Sequence, residues 1–154
     1  NECINGWVYT FFANHILIWG SHAEARRVFI VQKRIIRLIF NLNNRESVKS
    51  TFIKNNILTL PCILIFEACK YAIKSKNLLQ SHSDIHGRDT RNKNKFYPPH
   101  CRTKSYQTAP LNLSIALYNN LPSQLHEIIN INPFLKAVKK FLCKNAFYSY
   151  YDMM

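Results

Sequence analysis

At 154 residues, 47% of them hydrophobic, the chain is large enough for one domain with a real core and too apolar for wholesale disorder. Its 21 Lys+Arg against 8 Asp+Glu leave a formal net charge of +13, which asks for an anionic partner, either nucleic acid or a membrane surface. Five cysteines (Cys3, Cys62, Cys69, Cys101, Cys143) form an odd set without CxxC spacing, which speaks against a disulfide framework and for free thiols in a reducing compartment.

The apolar run from Ile4 to Trp19 lacks a basic flank and a small-residue cleavage site, so it is a poor secretory signal. Asn5, Asn14 and His15 interrupt it, and it falls short of the ~20 residues a membrane-spanning helix needs. It reads as a buried helix whose packing partner lies upstream. Ser21, with Glu24 three residues on, forms a capping-box pattern that opens a helix running to about Phe40. Within it Ala25, Val28, Phe29, Ile35, Ile36 and Ile39 recur at helical spacing and predict a core face. Arg26, Arg27, Lys33, Arg34 and Arg37 cluster opposite, either as a solvated face or as a surface that meets phosphates.

A loop at Asn41–Arg45 and a short helix over Ser47–Lys54 follow. Thr59 or Leu60 then starts a helix, with Pro61 in its first turn, that runs to about Lys76. Ile65, Ala68, Cys69 and Ala72 are its expected core face, and Lys70, Lys74 and Lys76 favour its C-terminal dipole. Residues 81–109 show no long apolar period, and Pro98-Pro99 breaks helix; this is a long basic loop, with at most a short hairpin. Connections of that length are usually functional or disordered. Arg88, Arg91, Lys93, Lys95, Arg102 and Lys104 lie there, among Phe96, Tyr97 and Tyr106. Cations bind a phosphate backbone and aromatic faces stack on bases, so the mixture suits single-stranded nucleic acid as well as it suits a solvated loop.

Helical pattern returns at Leu111–Tyr118, turns at residues 119–122, and opens a last helix at Asn132-Pro133. There Phe134, Leu135, Val138, Phe141 and Leu142 form the apolar face, against Lys136, Lys139, Lys140 and Lys144, and the aromatic end Phe147–Tyr151 packs back on the body. The expected fold is mainly α, a small bundle of about five to six helices with the basic loop in its middle. It forms one domain in three parts: 1–80, helical and continuous with upstream sequence; 81–109, the basic loop; and 110–154, helical.

Chemistry-bearing constellations are sparse. His82, His86, His100 and Cys101 could in principle hold zinc, but the second pair is adjacent rather than spaced, so hydrogen bonding to loop backbone is the competing role. The aspartates are Asp84, Asp89 and Asp152, with no adjacent acidic pair to hold two catalytic metal ions. With three glycines there is no phosphate-cradling loop, and no GxSxG motif is present. No lipidation pattern closes the chain, so a membrane partner is disfavoured.

Six landmarks, in order, carry a resemblance: Ile18-Trp19-Gly20, the run Phe29–Arg37, Ile57-Leu-Thr-Leu-Pro61, His86 to Lys93 in the His-x-x-x-Thr-Arg form, Leu117-Tyr-Asn-Asn-Leu-Pro122, and Phe134–Ser149. Together they resemble the C-terminal segment of the reverse transcriptase of jockey-like non-LTR retrotransposons of animals, the part that follows the polymerase palm and thumb. The chain departs from that family at Arg88, where an aromatic residue is usual. The resemblance implies an RNA-directed DNA polymerase as the parent, usually fused to an endonuclease. The family's Tyr-Ala-Asp-Asp-type catalytic box has no counterpart here. The expectation is therefore a noncatalytic nucleic-acid-contacting region, or remnant, needing no cofactor or metal. Its partners would be RNA or single-stranded DNA and the upstream polymerase domain, in the nucleus or cytoplasm and not secreted. The expected contact residues are Arg26, Lys33, Arg34, Arg37, Arg88, Arg91, Lys93, Lys95, Tyr97, Arg102 and Lys104. The alternatives are a stand-alone basic RNA/DNA-binding or protein-interaction module derived from such a region, and a His/Cys metal-site enzyme.

Overall fold

A computed structural model describes residue 13 and residues 15–81, 95–128 and 130–153. The apolar run over residues 4–12, His82, Asp84, His86, Arg88, Asp89, Arg91 and Lys93 lie outside the described residues. Among the described residues the chain is mainly helical, with eight α-helices and no strand beyond one isolated bridge. They are α1 (Ile16–Trp19), α2 (Ala25–Ile39), α3 (Lys49–Lys54), α4 (Leu60–Lys74), α5 (Lys104–Gln107), α6 (Pro110–Asn119), α7 (Ser123–His126) and α8 (Ile131–Asn145). None of them is long and apolar enough to cross a membrane.

Helix α4 is the axis of the fold. A helix apolar around most of its circumference has to be covered around most of it, and α4 buries Leu60, Cys62, Ile63, Leu64, Ile65, Ala68, Cys69 and Ala72, leaving Glu67, Lys70, Tyr71 and Lys74 along its outer face. It packs most extensively on α6, then on α8, α1, α2 and the 3-10 turn Tyr150–Met153. Its start follows from three residues. Thr59 has extended backbone and its Oγ1 accepts from the Cys62 amide at 3.3 Å, an N-cap, and Pro61 follows in the first turn. The same hydroxyl donates to the Phe147 carbonyl at 2.6 Å, tying the C-terminal segment to the start of α4. Gly20 lets α1 lie close to this axis: a Cβ there would meet the Ile16 carbonyl at 2.6 Å and Leu64 Cδ1 at 3.1 Å.

The expected core faces of α4 and α8 are correct. Phe134, Val138 and Leu142 are buried, Leu135 and Phe141 half-buried, and the four lysines of α8 exposed. Helix α2 departs from expectation in two ways. Its buried stripe is Ala25, Phe29, Gln32 and Ile36, with Val28 and Ile35 half-buried on one flank and Ile39 left 44% exposed. The stripe is rotated because Gln32, a polar residue, sits in it at 0% exposure. Its amide Nε2 donates to the Leu58 carbonyl at 3.0 Å and its Oε1 accepts from the Leu60 amide at 2.8 Å, so its burial leaves nothing unpaired. The helix also starts at Ala25, without a side-chain cap. The capping box is not formed; three-residue backbone bonds from the amides of His22, Ala25, Arg26 and Arg27 wind the chain into the helix. Glu24 instead pairs with Arg27 at 3.1 Å.

Asn41 and Asn56 end α2 and α3 in the left-handed conformation, at φ 50 and 52. In each case the next residue reaches back to the helix, Leu42 to the Arg37 carbonyl and Ile57 to the Phe52 carbonyl, both at 2.9 Å. This is the αL ending that asparagine tolerates better than most residues. Two short helices add to the expected set: α5 lies within the expected 81–109 loop, and α7 follows the expected turn at residues 119–122.

The far end of the 81–109 segment is anchored. Ser81 and Phe96 form an antiparallel bridge, and the Tyr97 amide donates to the Gln80 carbonyl at 2.8 Å. Asn119 clamps the same point: its Oδ1 accepts from the Phe96 amide at 2.9 Å and its Nδ2 donates to the Phe96 carbonyl at 2.7 Å. The Phe96 ring is buried 4.8 Å from that of Tyr118.

Candidate functional site

The helical wheel that buries Gln32 divides the cations of α2. Arg26, Lys33 and Arg37 run along one edge of the buried stripe, while Arg34 points outward with Arg27. The first edge faces the C-terminal segment. There Tyr148 meets Phe29 edge-on with ring centroids 5.2 Å apart. The Lys33 ammonium lies over both rings, 4.7 Å from the Phe29 centroid and 5.6 Å from that of Tyr148. Burial, then the Arg37 and Arg26 charges, hold the Lys33 ammonium below its ordinary pKa, so a phosphate arriving here would relieve cationic crowding. Lys49 approaches Tyr148 as well, at 5.9 Å.

A groove of about 930 Å³ opens beside this edge. Arg26, Ile30 and Lys33 of α2 form one wall, Lys104, Ser105 and Thr108 of the α5 segment another, and Tyr148–Tyr151 a third; Leu60 and Pro61 of α4 lie at its base. Arg26 and Lys104, far apart in sequence and expected separately as contacts, thus border one space. The α5 wall is held by side-chain amides: Gln107 Nε2 donates to the Cys101 carbonyl at 3.1 Å and Asn112 Nδ2 to the Tyr106 carbonyl at 2.7 Å.

The tyrosine wall is built by Asp152. One carboxylate oxygen, Oδ2, accepts from the amides of Tyr148 (3.2 Å) and Ser149 (3.0 Å), and Ser149 Oγ accepts from the Tyr151 amide at 3.2 Å. The turn places the Tyr150 and Tyr151 rings 4.2 Å apart at 32°. Burial, then the neighbouring Tyr151 side chain, pushes the Tyr150 phenol up. Tyr150 packs on the core, whereas Tyr151 is 59% exposed.

The other expected contacts lie elsewhere. Arg37 Nη2 donates to the Glu46 carbonyl at 3.2 Å, and Arg34 and Arg102 are exposed outside the groove. Lys95 is half-buried and Tyr97 exposed, both beside the Ser81–Phe96 bridge. Arg88, Arg91 and Lys93 fall outside the described residues. The sequence reading missed Tyr148, Tyr150 and Tyr151 as site residues. Their signal was the spacing of tyrosines along the chain end, which was read as packing alone.

Of the suggested metal ligands, His82 and His86 are outside the described residues; Cys101 donates to the Pro99 carbonyl at 3.1 Å. Among the described residues no cluster of three or more His, Cys, Asp or Glu side chains could hold a metal ion. Burial pushes the Cys62 thiol up to about 11 and raises those of Cys69 and Cys143, which therefore remain thiols at neutral pH.

Comparison with family models, with curated proteins and with solved structures finds no match to this chain.

Proposed function

We propose that this chain is a noncatalytic nucleic-acid-contacting region of a retroelement reverse transcriptase, downstream of the palm and thumb. The observation that carries the nucleic-acid part is the groove, where Arg26, Lys33 and Lys104 converge beside a tyrosine wall. Cations placed to neutralise successive phosphates give binding that is insensitive to sequence and sensitive to salt. The ordered landmarks from Ile18 to Ser149 support the parentage. RNA or single-stranded DNA and the upstream polymerase domain are its partners, in the nucleus or cytoplasm. A stand-alone binding module derived from such a region is the second reading. One continuous core drawn from α1 through the C-terminal turn favours it.

Titrating the 154-residue chain with labelled single-stranded RNA at rising salt tests the reading. With about four phosphates met, log K falls against log salt with a slope of roughly −3. Replacing Arg26, Lys33 and Lys104 by alanine flattens the slope by about two units. If the Arg91, Lys93 and Lys95 triple variant flattens it instead, the contact surface is the 81–109 segment. Salt-independent or absent binding refutes both. Reading the genomic frame upstream of Asn1 for a polymerase palm tests the parentage.

A further inference from the structure

The tyrosine wall is more ordered than a surface turn requires. A turn that only sealed the core would need Tyr150, which packs on it, but not Tyr151. Yet Tyr151 also has defined partners. Tyr150 backs its ring at a tilt of 32°, with centroids 4.2 Å apart, and Ser149 Oγ accepts from its amide within a turn that Asp152 closes. An exposed aromatic ring backed by a second ring, in a fixed place beside three cations, is preorganised to receive a flat, electron-rich partner next to an anion. An unpaired nucleotide has that combination of base and phosphate, and stacking accepts any base because every base has a π-face. In a duplex the base faces are covered by their neighbours and only the phosphates remain available.

We propose that the groove is a single-strand site, in which an unpaired base stacks on the open side of Tyr151 while adjoining phosphates meet Arg26, Lys33 and Lys104. Asp152 is a positioning residue: it touches no ligand and acts by holding the turn. The inference rests on the nucleic-acid reading above and narrows it to unpaired strands. Lys33 suits the phosphate role because the rings of Phe29 and Tyr148 hold its ammonium at the groove.

Fluorescence anisotropy of the full chain with labelled oligo(U), oligo(dT) and a blunt duplex of equal length tests it. Wild type binds both single strands more tightly than the duplex; a preference between oligo(U) and oligo(dT) identifies which of RNA and DNA the site takes. Tyr151→Ala weakens single-strand binding by about 5- to 150-fold, the range that loss of one stacked base gives, with duplex binding and the salt slope unchanged. Tyr151→Leu, which keeps apolar bulk without an aromatic face, shows the same loss, and Tyr151→Phe retains most of the affinity. Asp152→Ala reduces the single-strand preference and Asp152→Asn, which keeps an acceptor, restores it. Unchanged helical circular dichroism and thermal midpoints exclude misfolding as the cause. If Tyr151→Ala and Tyr151→Leu bind single strands as wild type does, the single-strand site is wrong while salt-dependent binding stands. If wild type binds neither single strand nor duplex, the broader reading falls with it.

Discussion

Gln32 offers the sharpest test of how this fold is held. Its carboxamide makes two buried hydrogen bonds, to the Leu58 carbonyl and the Leu60 amide, and so bridges the residue before and the residue after the Thr59 cap. Gln32→Leu keeps the volume roughly and removes both bonds at once. Each backbone group left buried without a partner costs about 1–3 kcal/mol, and the added apolar contact of leucine recovers some of it. The expected loss is about 2–5 kcal/mol, a large share of the ~5–15 kcal/mol that holds a typical domain. For a chain of this size that lowers the thermal midpoint by roughly 5–15 °C. Urea unfolding followed by circular dichroism measures it, with the midpoint expected to drop and the m-value to stay. Because Leu60 and Pro61 lie at the base of the groove, single-strand affinity should weaken at temperatures where the protein is still folded. A Gln32→Leu variant within about 0.5 kcal/mol of wild type would show that neither bond matters and that the α4 start is fixed by packing alone.

Three further outcomes are expected. Ile36→Asp places a carboxylate at a position with 0% exposure, so its stability should fall by several kcal/mol; a wild-type melting curve would contradict the α2–α4 packing. His126 is held below its ordinary value of 6.5 by burial, which outweighs the opposing contact with the Leu121 backbone, and the Lys95 charge adds a smaller push in the same direction as burial. The unfolded chain therefore binds the proton more readily, and as pH falls through about 6.5 wild type should lose stability that a His126→Gln variant keeps; parallel pH profiles of the two midpoints would negate this. Finally, the purified chain should incorporate no nucleotides on a primed template, since its sequence has no adjacent acidic pair to hold two metal ions; incorporation abolished by replacing Asp84 or Asp89 would reverse that view.

Periodicity made the long helices legible. The burial of Ile65, Ala68, Cys69 and Ala72, and of Phe134, Val138 and Leu142, follows from spacing and apolar character alone. Thr59-Leu-Pro61 announced the start of α4 because a hydroxyl followed by proline has few other uses there. The capping box at Ser21 misled because the helix starts later, at Ala25, and backbone carbonyls of residues 22–24 take the amides of its first three residues. Gln32 and Asn119 escaped notice for a related reason. An amide side chain can imitate a strand neighbour by donating and accepting at once, and nothing local in the sequence marks which amide does so. The groove was hidden more deeply. Arg26, Lys104 and Tyr151 meet only because α4 gathers α2, α6 and the chain's last turn around itself, so their adjacency belongs to tertiary packing.

The hydroxyl of Thr59 carries a consequence for how the molecule comes off the ribosome. Its acceptor, the Phe147 carbonyl, is made 88 positions later, and most of the surface that covers α4 belongs to α6, α8 and the final turn. Residues 75–153 take roughly 4–16 s to synthesise at ordinary rates. Throughout that interval a helix apolar over most of its surface has, of its main partners, only α1 and α2 to shelter it. The nascent chain is thus exposed to aggregation and to chaperone capture at its middle rather than at its ends, and pausing codons after Lys74 should lower soluble yield more than pausing codons before Thr59.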